Sequence, residues 1–227
     1  MTIWATATKD RDRKIRAIHV IRLSLITGGA VLAAMLCALP ARAGMIDESG
    51  LKPWENCALC HSLDGVSRMA KFPKLAGQMP AYIEKQIWDF RAAKRTNDGE
   101  QMQGMAGLIA EKDIPVVARY FADLPPPPPA DPPPDGDRKA GRALYLTGDA
   151  VRGLPACASC HGKDNAATAG APRLEAQHAD YVVKQLMDFR SGDRANDPGG
   201  VMAGVAAKLS DADIRAVGGY LAATIRN

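Results

Sequence analysis

Cys57-Ala58-Leu59-Cys60-His61 and Cys157-Ala158-Ser159-Cys160-His161 decide how this chain is read. Each places two thiols three positions apart and an imidazole directly after the second. Folded as one helical turn, that spacing sets both sulfurs on one side with the imidazole beside them. A redox dithiol, half of a zinc site, a structural disulfide and thioether attachment of a porphyrin all use two cysteines so spaced. The rest of the sequence chooses among them.

A basic stretch ends at Arg22, an apolar run follows from Leu23 to Leu39, Pro40 interrupts it, and Ala41-Arg42-Ala43 offers a small-x-small cleavage site. Residues 1–43 therefore read as a cleavable signal peptide, and the mature protein is expected in the periplasm. A retained anchor is the competing reading, because the run is near the lower length limit for a membrane span. Ser24, Thr27, Gly28, Gly29 and the cleavage site count against it; a retained leader would hold the protein at the membrane. The fifth cysteine, Cys37, leaves with the leader. An exported chain whose four remaining cysteines form two C-x-x-C-H units is expected to carry two covalently bound haem c groups. Cys57 and Cys60, and likewise Cys157 and Cys160, would add to the two vinyl groups of a porphyrin, with His61 and His161 on the irons.

The chain of 227 residues is 47 % hydrophobic but only 5 % aromatic, with 16 Pro and 21 Gly. That composition excludes a disordered chain and a multi-span membrane protein. The formal charge of +4 belongs to the leader, where seven basic side chains face two acidic ones; the remainder sums to −1. No charge excess is left to attract phosphates, so nucleic acid is not an expected partner.

The two motifs sit in an internal repeat. Pro73-Lys74-Leu75 falls on Pro172-Arg173-Leu174, and Gln78 on Gln177. Tyr82-x-x-Lys85-Gln86-x-x-Asp89-Phe90-Arg91 falls on Tyr181-x-x-Lys184-Gln185-x-x-Asp188-Phe189-Arg190, and Arg95-x-Asn97-Asp98 on Arg194-x-Asn196-Asp197. Past one inserted residue, Met102 meets Met202, Ile109 meets Leu209 and Tyr120 meets Tyr220. So many identities in order mark a duplication. The repeat also selects a second iron ligand. His61 to Met102 and His161 to Met202 are both 41 residues. Met105 pairs with Val205, which cannot ligate, and Met69, Met79 and Met187 lack methionine partners; Met105 and Met187 read as core filler. His178 reads as a surface side chain.

Apolar spacing of three and four predicts helices over 81–93 and 180–191, and Ser210-x-x-Asp213 predicts a capped helix through Leu221 with 111–122 as its counterpart. The Met102 and Met202 segments, rich in glycine, read as loops that bring backbone close to a flat porphyrin. No stretch alternates over strand length, so the class is all-α. Pro125–Pro129 and Pro132–Pro134 form an extended, semi-rigid linker over 125–135. It separates domains at 44–124 and 136–227, each small enough that a buried porphyrin would supply much of its core.

These motifs together, covering nearly all of the mature chain, resemble the cytochrome c4 family of exported dihaem electron carriers built from two tandem class I cytochrome c domains. The resemblance implies Met102 and Met202 as axial ligands, since the family places its methionine seven residues before the helix-start leucine, where Ile109 and Leu209 stand. It also implies that the carbonyls of Pro73 and Pro172 accept the Nδ1–H of His61 and His161. Three departures stand out. The first domain lacks a counterpart of Gly141-x-x-x-Tyr145, so its N-terminal helix is expected to be short or absent, with Trp54 unassigned. Ala110 replaces the capping serine. The linker is proline-rich, so close packing of the halves does not follow.

With both irons closed by His and Met, the chain would move single electrons and perform no bond chemistry. The expected partners are a quinol-oxidising complex and a terminal oxidase or other acceptor. A dedicated cytochrome subunit of a periplasmic dehydrogenase, of sulfide or alcohol type, is the nearest rival. A dihaem peroxidase-like enzyme would need an open iron, against which the equal spacings count.

Overall fold

The computed structural model describes residues 50–162 and 170–226. The leader and its cleavage site lie outside them. Residues 51–227 form one compact unit, and among the described residues it is helical, with no strand beyond an isolated bridge between Asp149 and Leu154.

Helix α1 (Glu55–His61) carries the first motif. It is followed by α2 (Pro80–Arg91), α3 (Gln101–Leu108), a 3₁₀ turn at Glu111–Asp113 and α4 (Ile114–Asp123). The second half runs α5 (Asp135–Leu146), α6 (Ala158–His161), α7 (Ala179–Ser191), a 3₁₀ turn at Pro198–Gly200, α8 (Val201–Ala206) and α9 (Asp211–Ala222). Pro80 and Pro115 sit in the first turns of α2 and α4, where no backbone N–H is missed. The predicted capping box is present: the Ser210 hydroxyl accepts from the Asp213 N–H and the Asp213 carboxylate from the Ser210 N–H.

The glycine-rich methionine segments are helices, not loops. Glu100 and Gly200 take left-handed backbone conformations immediately before α3 and α8, turning the chain into each helix despite the glycines inside. Each half has its own small core. Ile83, Ile87, Phe90, Ile114, Val117 and Phe121 fill the first; Val182, Leu186, Leu209, Ile214, Val217 and Leu221 fill the second. On α4 the buried residues Ile114, Val117, Ala118 and Phe121 recur at helical spacing. Full burial of a side chain such as Phe121 contributes about 2–3 kcal/mol.

The halves pack on each other through polar groups, related as if by a two-fold axis. The Arg95 guanidinium donates to Gln86 Oε1 of its own half at 2.7 Å, and to Gln185 Oε1 and the Tyr181 hydroxyl of the other at 2.8 and 3.0 Å. Arg194 repeats this toward Gln185, Gln86 and Tyr82 at 2.7, 3.3 and 3.2 Å. Asn97 and Asn196 donate across to Asp188 and Asp89. Gln78 and Gln177 exchange backbone hydrogen bonds with Arg173 and Lys74 at 2.9–3.0 Å. The linker lies along both halves: Pro127 is buried, Ala130 N–H donates to the Ala222 carbonyl at 2.8 Å, and Pro126 and Pro133 lie against Gly77 and Gly219.

Candidate functional site

On α1 the first motif occupies a single helical turn that Ser62, with φ of 64°, closes. Cys57, Cys60 and His61 project from that turn, and His61 is buried to 5 % exposure. Its Nδ1 lies 2.9 Å from the Pro73 carbonyl oxygen; His161 Nδ1 lies 2.8 Å from that of Pro172. A carbonyl only accepts, so Nδ1 carries the proton and the Nε2 lone pair is the ring's metal-binding group. Burial holds both imidazoles below the ordinary histidine range, against the opposing pull of the proline carbonyls. The neutral ring that this favours is the form that ligates.

No disulfide links the four cysteines, although each pair sits within one turn. Burial pushes the Cys57 thiol up to about 11 and raises Cys157 as well, so both are held as protonated thiols. Among the described residues no group of three or more His, Cys, Asp or Glu side chains could hold a bare metal ion. Each half brings its sulfurs to one apolar core: Cys57 and Met102 border the first cluster, Cys157 and Met202 the second. Two thiols, a fixed imidazole and a thioether around an apolar core are a donor set that fits a haem c.

Residues that the sequence analysis quoted only as repeat identities hold the methionines in place. Asp98 accepts from the Met102 N–H at 2.5 Å, and Asp197 from the Met202 N–H at 2.6 Å. At the other end, Arg91 donates to the Ile109 carbonyl at 2.5 Å and Arg190 to the Leu209 carbonyl at 3.1 Å. Each methionine helix is thus held at its start by an aspartate of the segment before it and beyond its last turn by an arginine of the preceding long helix. Met187 packs on the second core, and Met105 is half-buried on α3.

Trp54 stacks on Tyr120, with ring centroids 4.4 Å apart and planes 9° from parallel. In the second half, Tyr145 of α5 packs on Tyr220 at 5.7 Å. One aromatic therefore covers each equivalent tyrosine, from the loop before α1 in the first half and from a full helix in the second. His178 is not a surface side chain. Its Nε2 faces the buried Ser67, 2.8 Å from the hydroxyl and 3.1 Å from the carbonyl, across the seam between the halves.

Residues 139–224 match the family model described as Cytochrome c. Cytochrome c4 of Thiocapsa roseopersicina is 45 % identical over 168 residues, covering 73 % of this chain and 85 % of that protein. The chain belongs to the cytochrome c4 family. The crystal structure of reduced recombinant cytochrome c4 from Pseudomonas stutzeri superposes with a TM-score of 0.67 at 37 % identity, over 76 % of this chain and 95 % of that one. A thiosulfate dehydrogenase electron acceptor from Stutzerimonas stutzeri is 33 % identical over 201 residues, 85 % of this chain and 92 % of that protein. This family member is a dihaem electron-transfer cytochrome, not an enzyme, and its two motifs serve two haem c groups.

Proposed function

We propose that this cytochrome c4 family member carries single electrons in the periplasm, from a respiratory donor such as a quinol-oxidising complex to a terminal oxidase or other acceptor. Each half, 44–124 and 136–227, holds one haem. Cys57 and Cys60 form the thioethers of the first and Cys157 and Cys160 those of the second. His61 with Met102, and His161 with Met202, are the axial ligands; Pro73 and Pro172 fix the histidine rings. Bound haem supplies a reversible one-electron iron couple, which His/Met ligation sets at the high end of the c-type range.

The observation that carries this reading is the pairing of equal 41-residue spacings with a methionine helix held at its start and just past its last turn in each half. Methionines on segments so held would complete the ligand set of each iron when haem is bound and leave no place for a substrate. The protein's own residues orient the imidazoles through the proline carbonyls and keep water from the apolar cores. Export follows from the leader.

The test is Met202→Ala in the holoprotein. The second-half haem should then bind carbon monoxide and drop in potential, while the first stays unchanged. A variant that keeps both potentials and refuses the gas would overturn the ligand assignment.

A second reading is a dedicated electron acceptor of a periplasmic dehydrogenase, whether for sulfide, an alcohol or thiosulfate. It is favoured by the 33 % identity to a thiosulfate dehydrogenase electron acceptor across 85 % of the chain. The ligands would be the same. A stable complex with such a dehydrogenase, together with no oxidation by a terminal oxidase, would select it.

A further inference from the structure

The two halves differ on one helix face. In the second half, α5 lies on α9 so closely that a Cβ at Gly141 would sit 2.2 Å from the Ala216 carbonyl oxygen. The face of α9 that receives it carries Ala216 and Tyr220, with Gly219 beside them under the linker residue Pro133 and Ala212 exposed one turn earlier. The repeat places Lys112, Val116 and Arg119 at those positions on the α4 side, ahead of Tyr120. No described element covers that face. Trp54, Pro115, Val116, Arg119 and Tyr120 line an open, almost wholly apolar groove of about 420 Å³, in which Val116 is 43 % exposed. Among the described lining residues the cation is Arg119, whose ion pair with Asp123 is 3.9 Å long and exposed on both sides.

The groove is also in aromatic continuity with an iron ligand. Trp54 stacks on Tyr120; Tyr120 meets Phe121 edge-on at 5.1 Å; Phe121 meets the His61 ring at 6.5 Å. The second half has Leu221 in place of Phe121, and its tyrosine lies beneath α5. Among the described residues, the first half thus combines an open apolar groove with a line of rings running inward to its histidine.

We propose that this groove is the docking site for an electron-exchange partner protein, which seats there an α-helix with an apolar face bordered by a carboxylate. The pseudo-equivalent α5 shows that this face of the fold accepts a helix. Val116 and Arg119, larger than the alanine and glycine they replace, hold it farther off than α5 is held, as a transient contact needs. The carboxylate of the partner helix meets Arg119. The proposal rests on the carrier reading and names where that carrier is met.

The test uses the holoprotein with Val116→Glu, Arg119→Glu and, as a second-half control, Lys208→Glu. Second-order rates are measured for oxidation by membrane vesicles containing a terminal oxidase, for reduction by purified thiosulfate dehydrogenase, and for oxidation by ferricyanide. Val116→Glu should lower at least one protein rate by about tenfold, the effect of losing one anchor in a small interface. The ferricyanide rate should stay unchanged. Arg119→Glu should lower the same rate and weaken its salt dependence, and Lys208→Glu should change neither. Wild-type protein rates in Val116→Glu would overturn the proposal. So would a groove whose substitution abolishes self-association in sedimentation, or binding to lipid vesicles, in place of electron exchange; a second copy or a membrane would then be the occupant. A wild-type holoprotein that ferricyanide oxidises but that exchanges electrons with neither enzyme would overturn the docking site alone, and one that ferricyanide cannot oxidise either would overturn the carrier reading with it.

Discussion

At the scale of single residues, the sites are positioned by atoms that the motifs do not name. His61 and His161 gain their tautomer from proline carbonyls 12 and 11 positions downstream. Met102 and Met202 gain their place from aspartates and arginines of the repeat. Both dependencies show in sequence only as identities, because a duplication preserves ligands, their supports and an interface alike. What spacing did make legible was chemistry with a fixed reach: two thiols and an imidazole on one turn. Gly141 is a residue whose role is purely steric. Replacing it with alanine forces α5 off α9 and should cost about 1–3 kcal/mol, the range of overpacked cores, read as a lowered denaturation midpoint. A neutral Gly141→Ala would mean that α5 does not lie as closely as described.

At the scale of elements, the helices with continuous apolar spacing were legible and the methionine helices were not. A glycine inside a helix costs roughly 1 kcal/mol relative to alanine, so Gly104, Gly107 and Gly204 argue for loops. Tertiary support overrides that preference: a carboxylate on the first turn, a guanidinium on a carbonyl just past the helix, and a left-handed residue just before it. The capping box at Ser210 was legible because its chemistry is local. Its absence at Ala110 suggests a gain. Ala110 has the extended backbone that a capping residue needs, with φ of −62° and ψ of 140°, and Asp113 already stands three residues on. Ala110→Ser should stabilise the holoprotein by about 0.5–1 kcal/mol and Ser210→Ala should destabilise it by about 1 kcal/mol, both by chemical denaturation. A loss in Ala110→Ser would show that the 3₁₀ turn at Glu111–Asp113 cannot use the cap.

At the scale of the molecule, the halves are one body held by buried polar groups rather than two beads on a proline string. Sequence could not supply this, because Arg95, Arg194, Gln86 and Gln185 enter it only as repeat identities, and an identity does not say which half each side chain meets. His178 shows the same limit. Alone it is a lone histidine beside Gln177; in the fold it faces Ser67 across the seam. Burial and the neighbouring Lys74 hold its pKa below the ordinary value near 6.5, against the Ser67 carbonyl and Asp180, which raise it. The unfolded chain therefore binds that proton more readily. Stability should be unaffected above pH about 6.5 and fall progressively as pH drops through that value. Denaturation midpoints of the holoprotein at pH 7 and pH 5 should differ more for the wild type than for His178→Gln, which keeps an Nε2 donor toward Ser67. Equal differences would remove His178 from the seam's pH response.

The central claim is that both irons are closed by a histidine and a methionine, which makes the chain a carrier. Its most direct test is a haem count per chain on the purified exported protein, with reduced spectra recorded before and after carbon monoxide. Two covalent haems whose spectra the gas leaves unmoved are the predicted result. A shift on either haem would reveal an iron with an open or exchangeable position, and would contradict the account.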